Sequence, residues 1–146
     1  MDVVLRLAIV AAVIVVAVAF GWWWNRRDGT VKAGSGGFDR PQLTEVGLTR
    51  ADADAYALLL GSPTCAPCRT VRQILGEVEA DRPELQWVYV DAGDHLDLAR
   101  AHHVMRVPTL FVLDREGRIL ARTSGVPGKR DLLRVLDREG DLAALP

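Results

Sequence analysis

The stretch Thr64-Cys65-Ala66-Pro67-Cys68-Arg69 holds the only two cysteines of the 146-residue chain, three positions apart. The apolar run Tyr56-Ala57-Leu58-Leu59-Leu60 before it reads as a buried strand, and Gly61-Ser62-Pro63-Thr64 reads as a short turn. From Arg69 onward Val71, Ile74, Leu75 and Val78 recur at i, i+3, i+4 and i+7, the period of a helix. The cysteine pair therefore lies where a strand gives way to a helix, with Cys65 at the helix N-terminus. Unpaired backbone N–H groups collect there and favour an anion. A thiolate is such an anion, so Cys65 is expected to have a lowered pKa and to be the attacking sulfur. Cys68, one helical turn on, is expected to resolve the mixed disulfide that results.

Composition removes several function classes. The formal net charge is −1, which gives no basis for broad affinity to nucleic acid. Two cysteines are too few for a disulfide scaffold, although a single structural disulfide stays open as a reading. His95, His102 and His103 are the only histidines, and none stands in a second ligand pair of the kind a structural zinc requires. No glycine-rich phosphate loop and no paired catalytic acids are present, so no metal and no cofactor is expected.

The N-terminus carries an uncharged apolar run from Leu7 to Trp24, extending back to Val3 past Arg6, whose side chain can snorkel. About 20 such residues cross a bilayer. Trp22, Trp23 and Trp24 suit an interfacial belt, and Arg26 and Arg27 follow at once. Residues 3–24 are thus expected to be a transmembrane anchor in contact with the lipid bilayer. The competing reading is a signal peptide cleaved after Ala17-Val18-Ala19. Arg26, Arg27 and Lys32 outweigh Arg6 and the amino terminus, which by charge bias places the C-terminal domain in the cytoplasm; a disulfide-forming role would suit the other side.

Residues 25–42, with Gly29, Gly34, Gly36 and Gly37, read as a flexible tether, and residues 43–146 as one domain. Within it Leu43 to Leu48 is expected to be a strand, and Thr49 to cap a short helix with Asp52 three residues on. A strand over Tyr56–Leu60 and a helix from about Cys65 to Ala80 come next. Gly76 in that helix either weakens it or permits close packing. Leu85–Val90 reads as a strand with Trp87 and Tyr89 on one face and Val88 and Val90 on the other. Asp94 is expected to cap a helix over His95–His103, whose terminal histidines would place positive charge at the negative end of the helix dipole. Thr109–Leu113, the turn Asp114–Gly117 and Arg118–Arg122 form a hairpin. A last helix ends near Arg138. This order gives an α/β fold, a mixed sheet with helices on both faces.

Two markers in this order resemble the thioredoxin family, especially its small membrane-tethered bacterial members: Thr64-Cys65-Ala66-Pro67-Cys68-Arg69 at the start of a long helix, and Val107-Pro108-Thr109 before a strand. The resemblance covers residues 43–138. It implies a thioredoxin-like fold, catalytic Cys65 and Cys68, and an active-site loop of Thr64, Ala66, Pro67 and Arg69. It also implies a cis Pro108 opposite the dithiol, with Val107, Pro108 and Thr109 binding an extended substrate. Four positions depart from the best-known members. Thr64 stands where Trp or Phe is usual, Ala66 where Gly is usual, Leu59 where a buried acid assists the resolving cysteine, and Gln73 where a proline kinks the helix.

The expected function is a thiol–disulfide oxidoreductase anchored in a bacterial plasma membrane. Its partners would be protein thiol or disulfide substrates and a redox partner that the residues do not name. The alternative is a non-enzymatic interaction module of a membrane complex, its disulfide structural.

Overall fold

The computed structural model describes residues 3–25 and 31–143. Helix α1 (Val3–Asn25) is strongly apolar and exposed over residues 3–23. At 1.5 Å per residue it is about 34 Å long, enough for a hydrocarbon core of about 30 Å. It is long and apolar enough to span a membrane.

The domain beyond it is a five-stranded mixed sheet. Strand β1 is Lys32–Ala33, β2 Ala55–Gly61, β3 Leu85–Asp91, β4 Thr109–Asp114 and β5 Ile119–Ser124. Their order is β1-β5-β4-β2-β3, with β2 and β3 parallel and the other neighbours antiparallel. Every residue of β2 is buried because helices cover both faces of the sheet, as a continuous apolar run requires. Tyr56, Leu58 and Leu60 join Phe111, Leu113 and Val90 under helices α2 (Arg40–Glu45) and α4 (Leu96–Ala101). Ala57 and Leu59 point the other way, joining Leu110 and Val112 under α3 (Ala66–Asp81) and α5 (Lys129–Ala143). The period of two along each strand produces both cores. Asp114 organises the β4–β5 turn: its buried carboxylate accepts from the N–H groups of Glu116 (3.0 Å) and Arg118 (2.8 Å).

Several sequence expectations need correction. Leu43–Leu48 is not a strand. Asp39 caps α2 by accepting from the Gln42 N–H (2.9 Å), while Gln42 Oε1 accepts from the Asp39 N–H (3.0 Å), and Pro41 fits the first turn. Leu43 then points into the core. Thr49 caps nothing; Arg50 accepts Tyr56 Oη on its carbonyl instead (3.0 Å) and the segment is a turn. The expected tether is shorter than residues 25–42, since Lys32 and Ala33 pair with Arg122 and Ala121 and Phe38 is buried. Residues 26–30 lie outside the described residues. Gly76 faces open space, so it permits no close packing and weakens α3 by about 1 kcal/mol relative to Ala.

Asp94 does not cap α4, whose N-cap is His95 without a side-chain hydrogen bond. Nor is His102 a surface cation at its end. Its ring stacks on Phe38 with centroids 3.7 Å apart, and Phe38 meets Phe111 edge-on at 5.2 Å. Burial pushes the His102 pKa below its ordinary 6.5, helped by the charges of Arg122 and His103 and opposed by Asp39. The folded chain therefore takes up this proton less readily than the unfolded one, and stability falls where the unfolded state gains it. The stability is whole above pH 6.5 and is lost as the pH drops through 6.5 toward the lowered value. His102→Phe, which keeps the stack, is expected to shrink the fall in Tm between pH 7.5 and pH 5.5. Equal falls in both proteins would contradict this.

Candidate active site

Strand β2 delivers the chain to the site. After Gly61 a turn closes with the Cys65 N–H donating to the Ser62 carbonyl (3.1 Å). Cys65 is the N-cap of α3 in extended backbone conformation, and its Sγ accepts from the Cys68 N–H at 3.2 Å. Pro67 lies in the first turn, where its missing N–H costs no helical hydrogen bond. The two cysteines form a disulfide across that turn, with Cα atoms 5.3 Å apart. Their exposures differ in a way that matters chemically. Cys68 is 2% exposed and Cys65 is half-buried. An incoming sulfur therefore meets Cys65 first. Thr64, Ala66, Pro67 and Arg69 are exposed around it.

The second marker lies at the same end of the sheet. Leu60 of β2 pairs with Thr109 of β4, so the chain enters β4 beside the point where it leaves β2. The Val107–Pro108 peptide is cis. The Pro108 carbonyl accepts from the Gly125 N–H (2.9 Å), and the Thr109 hydroxyl donates to the Arg106 carbonyl (2.7 Å). Thr109 is fully buried, so its side chain braces the loop from within. Val107 is half-buried, and among the described residues its backbone groups have no hydrogen-bond partner. Met105, two residues before Val107, is an apolar side chain 90% exposed.

Two residues to which the sequence reading gives no part in the site, Gly61 and Tyr89, lie beneath the disulfide. A Cβ placed on Gly61 would fall 2.5 Å from Cε2 of Tyr89 and 3.0 Å from Sγ of Cys68. Glycine is required there because the phenol ring and the buried sulfur close over its Cα. Tyr89 does pack, as expected, but it packs against the site. Arg72, one turn beyond Cys68 on α3, holds its guanidinium 5.1 Å from the centre of the Tyr89 ring. Burial raises the Tyr89 pKa, Asp91 adds to the rise, and Arg72 opposes it. A glycine at the end of a strand pattern was the available signal, since it marks close approach to the backbone.

Chloroplastic thioredoxin z superimposes on the chain with a TM-score of 0.58 at 17% identity, covering 75% of this chain and 97% of that one. The oxidised mitochondrial thioredoxin 3 of Saccharomyces cerevisiae gives 0.53 at 21%, covering 65% and 89%. The fold is thioredoxin-like. In sequence, this thioredoxin-like domain is similar to the thioredoxin of Mycobacterium tuberculosis, 34% identical over 73 residues, which is 49% of this chain and 62% of that protein. It is also similar to the thioredoxin of Bacillus subtilis, 27% identical over 78 residues, 53% of this chain and 74% of that protein. No protein-family model matches the chain.

Leu59, where the thioredoxin resemblance would place a buried acid, is completely buried in one cluster with Val71, Leu75, Leu110 and Val112. The environment of Cys68 is accordingly built from Gly61, Tyr89 and α3.

Proposed function

We propose that this chain is a member of the thioredoxin family and acts as a thiol–disulfide oxidoreductase on protein cysteines, held at a membrane by α1. The observation that carries the reading is the asymmetry of the pair. A half-buried Cys65 caps a helix N-terminus, and a buried Cys68 is joined to it one turn away. In the reducing direction the Cys65 thiolate attacks one sulfur of a substrate disulfide. The substrate S–S bond breaks, and its electron pair leaves on the other substrate sulfur, which takes a proton. The Cys68 thiolate then attacks Cys65 Sγ, the mixed disulfide breaks, and the second substrate sulfur departs with the electron pair. Two electrons have passed from the dithiol to the substrate. The oxidising direction is the reverse.

Val107 supports the reading by offering both backbone groups to an extended peptide, and Met105 by offering apolar contact beside it. The apolar Leu59 is the observation that favours the other reading, a docking module whose disulfide is only structural. Trapping separates the two. Cys68→Ser in intact membranes is expected to accumulate mixed disulfides with other proteins that dithiothreitol releases, and the double variant Cys65→Ser/Cys68→Ser to accumulate none. Partners bound equally in both proteins and unaffected by dithiothreitol would establish the docking module.

A further inference from the structure

The run Gly34-Ser35-Gly36-Gly37 reads in the sequence as spacer, but in the fold it is a fitted wall. A Cβ on Gly34 would lie 2.0 Å from Cγ2 of Ile119, and one on Gly37 would lie 2.9 Å from the Gly117 carbonyl oxygen. Gly36 has φ +88°, which favours glycine. The Gly34 N–H donates to the Leu120 carbonyl (3.2 Å) and the Gly36 carbonyl accepts from the Ile119 N–H (2.9 Å), fixing the run along β5. The N–H groups of Ser35, Gly36 and Gly37 have no partner among the described residues.

Between this wall and the end of α4 lies a cavity of about 530 Å³, a size ordinary for a small-molecule site. Among the described residues its charged and titratable lining is Lys32, Arg106, Arg122, His102 and His103, with no carboxylate. In a chain with 19 acidic and 18 basic residues, that segregation concentrates positive potential in one concavity. Arg122 is fixed by donating to the carbonyls of His102 (2.9 Å) and His103 (2.8 Å), which satisfies its N–H groups but leaves its charge uncompensated by any lining residue. Nε2 of His102 is buried without a hydrogen-bond partner. The cations of Lys32 and Arg122, two serine hydroxyls and a run of backbone N–H groups unpaired among the described residues match the oxygens of a phosphate better than a singly charged carboxylate.

We propose that this cavity binds a phosphate group. The group has two possible carriers, a soluble phosphate ester or an anionic phospholipid headgroup. Lys32 is only seven residues beyond Asn25, the end of α1, a reach of about 25 Å at full extension.

The test uses the full chain and reads Tm, because a ligand that binds the folded state raises it by mass action. In detergent micelles, glycerol 3-phosphate is titrated against sodium chloride at equal ionic strength. In nanodiscs, phosphatidylcholine alone is compared with phosphatidylcholine containing phosphatidylglycerol. A rise with glycerol 3-phosphate assigns the site to soluble esters, and a rise only with phosphatidylglycerol assigns it to the headgroup. In either case Lys32→Gln is expected to weaken the apparent affinity about tenfold or more, since it removes a charge-assisted hydrogen bond. Arg130→Gln, an equal charge removed from outside the cavity, is expected to leave it unchanged. No rise in either medium, or a rise weakened equally by Arg130→Gln, overturns the proposal.

Discussion

Cys65→Ser is expected to abolish disulfide exchange and leave a folded domain. The loss should be about 10³-fold or more in the reduction of insulin disulfides, the scale on which a covalent nucleophile matters. The reason is geometric as well as chemical. A serine hydroxyl is not ionised at neutral pH. The remaining sulfur, Cys68, is 2% exposed beneath the loop and cannot meet a substrate disulfide in its place. The fold should survive because Cys65 contributes little packing and the closed loop is short. The chain-entropy relation gives about 2 kcal/mol for a loop of this size, relative to the oxidised protein. Ser is also a good N-cap, so the start of α3 keeps its hydrogen bond to the residue-68 N–H. The checks are turnover and a circular-dichroism melt on the same preparation. Exchange at the parental rate in this variant would remove the assigned nucleophile.

Much of this architecture is legible in the residues, for reasons that also explain the failures. The run Tyr56–Leu60 has no polar break, which only a strand covered on both faces allows, and the helix period begins just after Cys68. These long, locally encoded signals place the dithiol at the junction. The hairpin reads just as directly, from Asp114 and Gly117 between two apolar runs. What failed was short or tertiary. Helix α2 has six residues, and its capping pair Asp39 and Gln42 lies at the end of a glycine-rich stretch that composition assigns to a linker. Strand β1 has two residues, and its pairing with β5 is decided by the fit of Gly34 against Ile119, which no periodicity records. His102 reads as a helix-end cation because its stacking partner, Phe38, is 64 positions earlier in that same supposed linker. The resolving side of the site was hidden in the same way: Gly61, Cys68 and Tyr89 meet only once β2, α3 and β3 are packed.

Leu59→Asp, which restores the acid that the thioredoxin resemblance would place there, is expected to be the most destabilising single change near the site, by about 3 kcal/mol or more. Leu59 has no exposed surface, its buried neighbours Val71, Leu75, Leu110 and Val112 bring no hydrogen-bond donor, and Tyr89, beside it on β3, has its ring over Gly61 and under the Arg72 guanidinium. An introduced carboxylate would therefore be desolvated without a partner, and its folded pKa would rise above the unfolded value. For a carboxylate the sign is then the reverse of the common case. The ionisation penalty is absent below the unfolded pKa, grows as the pH rises toward the folded one, and is constant above it. Urea midpoints for Leu59→Asp should fall from pH 4 to pH 8, while those of Leu59→Asn, equally polar but never charged, should track the parent. Parallel profiles for Asp and Asn would mean that a donor or water reaches the position. The consequence for chemistry comes from the same packing. With leucine at this position, no carboxylate there can receive the Cys68 proton, so that proton must leave to solvent before the buried sulfur attacks. Resolution of a mixed disulfide should then accelerate with pH in proportion to the Cys68 thiolate fraction. Stopped-flow release of a thiol from the Cys65 mixed disulfide measures that dependence. A rate independent of pH between 6 and 9 would show that a protein group takes the proton instead.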